Sequence, residues 1–146
     1  MRAKNVVYTL NQLPELAKIV STAMDTCPIV TIQGPVGAGK TTLVRCILAC
    51  MGVNEVVQSP TFSYVRTYQM PRGLLHHFDL YRVENVSQFK QFGFDEYLYQ
   101  PNQWAIIEWP EIIQHLLQRD ACHLILSYNA DDTNTRIATF HTIPQD

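Results

Sequence analysis

The stretch from Gly34 to Thr41 reads GPVGAGKT and fits the phosphate-binding pattern G-x-x-x-x-G-K-[ST]. Its three glycines allow backbone N–H groups to turn inward around phosphate oxygens, and the start of a following helix adds its positive dipole end. The Lys40 ammonium suits the β- and γ-phosphates of a nucleotide, and the Thr41 hydroxyl suits Mg²⁺. The alternative is a glycine-rich turn that binds nothing, but so long a pattern rarely arises by chance.

The segments on either side of this loop have the patterns that a phosphate-binding loop requires. Pro28–Gln33 is apolar and β-branched, which predicts a buried strand, and Thr42–Leu48 has apolar residues at helical spacing. We expect this helix to run to about Met51 and to end at Gly52. A strand, a loop and a helix in this order predict an α/β protein whose loop binds a nucleotide phosphate.

Two carboxylates are candidates for the chemistry beside that phosphate. Glu108 ends the apolar run Trp104–Glu108, and phosphate-loop proteins place a magnesium-side or water-side acid at the end of a buried strand. The alternative for Glu108 is a surface acid. Asp79 lies among aromatic residues, where a buried carboxylate needs a partner such as Mg²⁺, a hydroxyl or Arg82. A structural ion pair between Asp79 and Arg82 is therefore the alternative for that acid.

Thr61 and Trp109 are two further candidates, each with an ordinary alternative. Thr61 follows Ser59-Pro60, a rigid turn that could present its hydroxyl to a γ-phosphate or to magnesium, as switch loops do. An ordinary turn hydroxyl is the other interpretation. Trp109 could stack on a nucleotide base or fill the core, and composition does not separate these two roles.

The first part of the chain predicts a strand and a helix beside the loop. Val6–Tyr8 is a short strand, and Thr9 with Gln12 three residues later resembles a capping box that opens a helix. Apolar residues then recur at helical spacing to Cys27, so one face of this helix packs on a sheet. Thr9 lines a nucleotide base if this turn lies near the loop.

The rest of the chain predicts two hairpins separated by short helices. Alternating runs flank Pro71-Arg72-Gly73, which predicts an antiparallel hairpin, with His76 and His77 on opposite faces of its second strand. We interpret these histidines as sheet residues rather than metal ligands. We expect short helices broken at Gly93 and a short helix over Glu111–Leu117. The closing hairpin joins His123–Tyr128 to Thr135–Ile143.

The composition suits one compact domain over residues 1–146 with a substantial core, since 47% of residues are hydrophobic and 16% are charged. A net charge of −2 provides no general attraction for nucleic acid. The apolar runs are too short for a membrane span, and the first residues lack the core of a signal peptide. The four cysteines show no C-x-x-C pair, so we expect reduced thiols and a cytoplasmic protein.

Four separate motifs in register resemble the TsaE family. They are GPVGAGKTT at 34–42, SPTF at 59–62, HFDLYR at 77–82 and IEWP at 107–110, and the similarity spans roughly residues 9 to 128. The resemblance implies a single P-loop NTPase-like α/β domain, with a mixed central sheet flanked by helices, that binds ATP with Mg²⁺. It also implies a bacterial ATPase that works with two partners, TsaB and TsaD, in making threonylcarbamoyladenosine in tRNA. Those partners carry out the transfer to adenosine, so tRNA is reached through the complex. We expect the ATPase to be slow alone, because no trans-acting arginine or obvious water-positioning base is evident in the sequence.

The resemblance assigns roles to residues of this sequence. Lys40 matches the phosphate-binding lysine, Thr41 and Glu108 match the magnesium positions, Asp79 matches the catalytic acid, and Thr61 matches the switch-like turn. Pro35-Val36 departs from the family's usual acid and leucine, which stiffens the loop. The predicted nucleotide contacts are Gly34, Pro35, Val36, Gly37, Ala38, Gly39, Lys40, Thr41, Thr42, Trp109, Thr9 and, against the base, Arg136.

Three other functions stay open on the residues alone. A small-molecule kinase also uses a P-loop, although the seven arginines are scattered and form no lid-like cluster. A GTP-dependent switch would need an N-K-x-D guanine reader, and no such tetrapeptide occurs. A nucleotide-binding module without turnover is the third.

Overall fold

A seven-stranded sheet forms the centre of the protein in a computed structural model, which describes residues 2–55, 64–117 and 121–142. The strands are β1 (Arg2–Thr9), β2 (Ile29–Gln33), β3 (Val65–Met70), β4 (Gly73–Asp79), β5 (Gln103–Glu108), β6 (Ala121–Tyr128) and β7 (Thr135–Thr142). The helices are α1 (Leu13–Ala23), α2 (Lys40–Cys50) and α3 (Val86–Gln91), with 3₁₀ turns at Leu10–Gln12, Phe94–Tyr97 and Gln114–Leu116.

The order of the strands brings the ends of the predicted site strands together. The order across the sheet is β1-β7-β6-β2-β5-β4-β3. The four neighbours β6, β2, β5 and β4 run parallel, while β1, β7 and β3 pair antiparallel. Parallel strands end at the same edge of a sheet, so the loop after β2 lies beside the last residues of β5 and β4. The predicted α/β class with a mixed central sheet is confirmed.

Each face of the sheet packs against a separate apolar layer. Helices α1 and α2 cover one face, where Leu16, Val20, Leu43 and Ile47 are buried in a cluster with Ile106 of β5. On the opposite face, α3 and the 3₁₀ turn at 94–97 pack against β4 and β5, with Phe78, Phe89 and Ile107 in the second cluster. The strands of the parallel centre are therefore covered on both sides, as their continuous apolar runs predict.

The predicted local elements are largely confirmed. The Thr9 N–H donates to Gln12 Oε1 at 2.9 Å in the capping-box position, although one 3₁₀ turn precedes the α-helix. Helix α2 ends at Cys50 with Gly52 in the left-handed region (φ 85°) just beyond it. The turn at residues 71–72 joins β3 and β4, and Gly93 (φ 77°) separates the two short helices after them.

Two predicted boundaries differ from the structure. The segment Glu111–Leu117 is a turn followed by a 3₁₀ turn, so the predicted helix there is wrong. Its backbone bonds run to the third residue back, as in Ile113 N–H to the Pro110 carbonyl at 3.0 Å, because so short a segment gains little from α-helical propagation. Strand β1 begins at Arg2 rather than Val6 because it pairs with β7 along its whole length.

Candidate functional site

The glycine-rich loop connects β2 to α2 at the edge of the sheet where the parallel strands have their carboxyl ends. Gly37 (φ 84°) and Gly39 (φ 95°) lie in the left-handed region, which glycine adopts without steric cost. A side chain at Gly34 would place a Cβ 2.8 Å from the Leu126 carbonyl oxygen of β6, so the backbone there passes too close to a strand for any larger residue. The loop therefore has the conformation that its glycines predict, and it leads directly into Lys40, the first residue of α2.

Lys40 lies against its own loop. The side chain is 7% exposed, and its Nζ donates to the carbonyl oxygens of Gly34 and Pro35. The same ammonium lies 4.0 Å from the centroid of the Trp109 ring, within cation–π range. Burial lowers the pKa of Lys40, and the nearby carboxylates of Glu108, Asp79 and Glu111 oppose that shift.

Glu108 is a buried acid and not the surface acid that was its alternative. It ends β5 with 1% of its surface exposed. Its Oε1 accepts a hydrogen bond from the Thr41 hydroxyl at 3.1 Å, and its Oε2 lies 2.6 Å from His77 Nε2. The first turn of α2 and the end of β5 are thus joined through this carboxylate.

Asp79 ends β4 directly beside Glu108 in the parallel register. Its Oδ1 accepts from the Tyr81 N–H at 3.0 Å. Burial raises the pKa of Asp79 and the negative Glu108 raises it further, whereas the Tyr81 N–H, His77 and Lys40 lower it. Within the described ranges, the ion pair between an arginine and an aspartate is Arg72–Asp25, so the alternative pair of Asp79 with Arg82 is not formed there.

Two hollows open on either side of the loop. One, of about 350 Å³, is lined by the loop, the start of α2, Asp79, Glu108 and Trp109. The other, of about 270 Å³, shares Gly37, Gly39 and Thr42 with the first. The remaining residues around the second hollow are Tyr8, Leu10, Leu13, Ala38, Thr133, Asn134 and Arg136.

The second hollow contains one of the residues predicted to approach a nucleotide base. Arg136 lines it, and its guanidinium carbon lies 4.6 Å from the centroid of the Tyr128 ring. Thr9 is not among the lining residues of the described chain, although Tyr8 and Leu10 on either side of it are. Alternation along β1 separates Thr9 from Tyr8, since neighbouring strand residues point to opposite faces, and Leu10 already belongs to the 3₁₀ turn that follows.

Sequence reasoning missed several participants, among them Tyr8, Leu10 and Leu13 of the second hollow. His77 was interpreted as a sheet residue only, yet its ring contacts Glu108. The available signal was its position two residues before Asp79, which places both side chains on the same face of the strand. Thr133 and Asn134 were assigned to a hairpin loop, with no signal that this loop folds over the phosphate-binding loop. The interpretation of His76 is confirmed, because its ring bonds to Thr67 and Gln103 within the sheet. Thr61, with the Ser59-Pro60 turn, lies outside the described residues.

The oxygen atoms around the first hollow suit Mg²⁺. They include the Thr41 hydroxyl and the carboxylates of Glu108 and Asp79, and hard cations prefer such ligands. The residues that the structure describes contain no group of three or more His, Cys, Asp or Glu side chains placed to hold a metal. Magnesium in nucleotide sites uses one or two protein oxygens together with phosphates and water, so the donor set fits that ion.

The fold and loop together define the class of this protein. A mixed sheet with a parallel centre, in which β2 leads through a glycine-rich loop into a helix beginning with lysine and threonine, is the P-loop NTPase-like arrangement. The model of the family described as threonylcarbamoyl adenosine biosynthesis protein TsaE matches residues 7–138. The chain therefore belongs to the TsaE family, whose role is in the biosynthesis of threonylcarbamoyladenosine in tRNA.

Relatives in Rickettsia and Bacillus agree with this assignment. The chain is 35% identical over 140 residues to a tRNA threonylcarbamoyladenosine biosynthesis protein TsaE of Rickettsia conorii, covering 93% of this chain and 78% of that protein. It is 29% identical to the Bacillus subtilis protein of the same name, covering 80% and 72%. The crystal structure of Bacillus subtilis YdiB superposes with a TM-score of 0.70 at 26% identity, covering 99% of this chain and 89% of that one. Among the described residues, no helix is long and apolar enough to cross a membrane.

Proposed function

We propose that this protein binds ATP with Mg²⁺ and hydrolyses it, and that this hydrolysis supports the tRNA-modifying reaction of its family. The observation that carries the proposal is the hydrogen bond of 3.1 Å between the Thr41 hydroxyl and the Glu108 carboxylate, directly beside Lys40. That arrangement unites the first turn of the loop helix with the acid of a neighbouring strand, as phosphoryl-transfer sites require.

Lys40 is the residue that we assign to the β- and γ-phosphates. Its ammonium donates to the Gly34 and Pro35 carbonyls, which a phosphate would replace as acceptors. Charged oxygens are stronger acceptors than neutral carbonyls, so the exchange favours the bound state. Loop N–H groups and the dipole of α2 add to this attraction.

Thr41 and Glu108 are the residues that would hold Mg²⁺. When bound, the ion neutralises charge that develops on the phosphates during transfer. The Thr41 hydroxyl can donate to Glu108 and still present a lone pair to the cation. Trp109 closes the other side of this hollow over Lys40.

Asp79 is the residue that we assign to the attacking water. Burial holds its pKa above the ordinary value of 3.8, which makes the carboxylate a better proton acceptor than an exposed aspartate. It lies at the rim of the same hollow as Lys40 and Glu108. Thr61 stays a candidate for the γ-phosphate side of the site.

The second hollow is where we place the adenine base. Leu10 and Leu13 contribute apolar surface, and the guanidinium of the lining residue Arg136 lies 4.6 Å from the centroid of the Tyr128 ring. A partly apolar hollow adjoining a phosphate loop suits a nucleotide base. On this proposal Tyr8 and Leu10 contact the base more directly than Thr9.

TsaB and TsaD are the partners that we propose, with tRNA reached through them in the cytoplasm. The net charge of −2 supports an indirect contact with tRNA, since nucleic-acid binding by itself favours a positive surface. No arginine lines the hollow beside Lys40 within the described ranges. Such a site hydrolyses ATP slowly unless another group stabilises the transferring phosphate, so we expect the partners to raise the rate.

Substitution of Lys40 tests the proposal. Lys40→Ala removes the phosphate-binding ammonium and should lower ATP hydrolysis by about 100-fold or more while the protein stays folded. Lys18→Ala, at an exposed position of α1, is the matched control and should hydrolyse ATP as the unaltered protein does. Unchanged ATP affinity and turnover in Lys40→Ala would refute the assignment. Release of inorganic phosphate without a phosphorylated nucleoside distinguishes the ATPase from the alternative, a small-molecule kinase.

A further inference from the structure

The structure assigns a positioning role to His77: we propose that this buried ring holds the Glu108 carboxylate in the orientation that binds Mg²⁺ with the nucleotide. The inference rests on the proposed function, because it concerns the same metal-side acid. His77 lies on β4, two residues before Asp79, and is fully buried. Its Nε2 donates to Glu108 Oε2 at 2.6 Å.

The contact belongs to a chain of three side chains that ends at the loop. The Thr41 hydroxyl donates to Glu108 Oε1, and His77 donates to Oε2, so both carboxylate oxygens have a fixed partner. A carboxylate held at both oxygens cannot rotate about its last bond without losing a hydrogen bond. The Thr41 hydroxyl is in turn directed by the carboxylate, so the position of His77 affects the orientation of a predicted magnesium ligand.

The second nitrogen of the His77 ring supports a specific rather than a general packing role. Nδ1 is the buried side-chain polar atom that has no hydrogen-bond partner among the described residues. Leaving a buried polar atom unpaired costs free energy, and an apolar ring of similar size would avoid that cost. The bond to Glu108 is therefore what the imidazole contributes at this position. Removal of a residue that hydrogen-bonds to a metal ligand typically lowers the affinity for the metal.

The neighbouring histidine provides a matched control. His76 is also buried on β4, and its ring bonds to Thr67 Oγ1 and Gln103 Oε1, each at 2.7 Å. It points to the opposite face of the sheet, where it packs against Tyr97. Loss of the His76 ring removes two buried hydrogen bonds but none that leads to Glu108.

The experiment compares the affinity for a fluorescent methylanthraniloyl-ADP with and without Mg²⁺. In His77→Phe we expect the magnesium concentration needed for half-maximal binding to rise by about 10-fold or more, with the affinity in EDTA changed by less than about twofold. His77→Gln, whose amide can donate toward Oε2, should restore most of the magnesium response. His76→Phe should keep the response of the unaltered protein, even where its thermal unfolding temperature falls.

A second measurement keeps the inference testable if His77→Phe does not fold. In the unaltered protein, His77→Asn should lower the magnesium response, that is, the gain in nucleotide affinity on adding Mg²⁺. In a Glu108→Gln background, the same substitution should cause no further loss of that response. An equal magnesium response in His77 and His76 variants overturns the positioning role and leaves the proposed function standing. If the unaltered protein binds the nucleotide neither with Mg²⁺ nor without it, both proposals fail.

Discussion

Replacing Thr41 by valine isolates the hydroxyl that joins the loop helix to Glu108. Valine has nearly the same shape, so the packing of α2 should persist while one hydrogen bond to a buried carboxylate is lost. A hydrogen bond to a charged group contributes about 1.5–3 kcal/mol, and Glu108, with 1% of its surface exposed, has no access to water as a substitute. We therefore expect Thr41→Val to be destabilised by about 1.5–3 kcal/mol.

The same substitution should also weaken nucleotide binding in the presence of magnesium. A loss of about 1.4 kcal/mol corresponds to a factor of ten in an equilibrium constant, so the Mg²⁺-dependent part of ATP affinity should fall by at least about tenfold. Thr41→Ser keeps the hydroxyl and should retain both stability and magnesium response. Urea unfolding and a magnesium titration of ATP binding measure the two effects.

Thr31→Val is the control that separates loss of the Thr41–Glu108 bond from the general cost of losing a buried threonine hydroxyl. The Thr31 hydroxyl lies on β2, is fully buried and is 2.7 Å from His123 Nδ1, so it has no part in the Thr41–Glu108 bond. Its loss should lower the free energy of unfolding by about 0.5–1.5 kcal/mol, plus any cost of the unpaired ring nitrogen, without altering the magnesium titration. If Thr41→Val and Thr31→Val gave the same magnesium titration, the reasoning about the Thr41–Glu108 bond would be refuted.

Two further predictions concern Asp79 and the turn at Gly73. Because the folded-state pKa of Asp79 is raised, the cost of keeping it ionised is absent below pH 3.8 and grows as pH rises through the folded pKa. Asp79→Asn should therefore raise the unfolding temperature at neutral pH. Its ATP turnover should fall by about 10²–10⁴-fold, and the acid limb of the pH–rate profile should disappear. A variant with unchanged turnover would exclude Asp79 as the base. A Cβ at Gly73 (φ 152°) would lie 1.9 Å from the Asn102 carbonyl oxygen. Gly73→Ala should therefore lose more than about 3 kcal/mol of stability in urea unfolding. A loss below about 1 kcal/mol would contradict the close approach.

The Lys40 ammonium is restrained by the groups around it. Two carbonyls and the face of Trp109 hold the Lys40 ammonium. Trp109 itself has a left-handed backbone (φ 56°) and packs against Tyr81, with ring centroids 4.8 Å apart. Since non-glycine residues adopt this conformation at a cost, the surrounding packing must hold Trp109 where it covers Lys40.

The loop and its flanking elements could be predicted from the sequence because their signals are local. The GPVGAGKT pattern, the apolar run before it and the helical spacing after it all act within about twenty residues. The hairpin at Pro71-Arg72-Gly73 and the break at Gly93 follow from the backbone preferences of proline and glycine in the same way. The helix predicted at Glu111–Leu117 was wrong because so short a segment takes its conformation from its surroundings.

The sequence by itself determined which residues could bind a phosphate and which acids end apolar strands. It did not determine that the Glu108 carboxylate would accept hydrogen bonds from Thr41 and His77. Glu108 is separated from Thr41 by 67 positions in the chain and from His77 by 31. Nor did it show that Arg136 would share a hollow with the phosphate loop while Thr9 would not. Those relations depend on the order β6-β2-β5-β4, which is set by long-range strand pairing and the packing of helices on both faces rather than by any local preference.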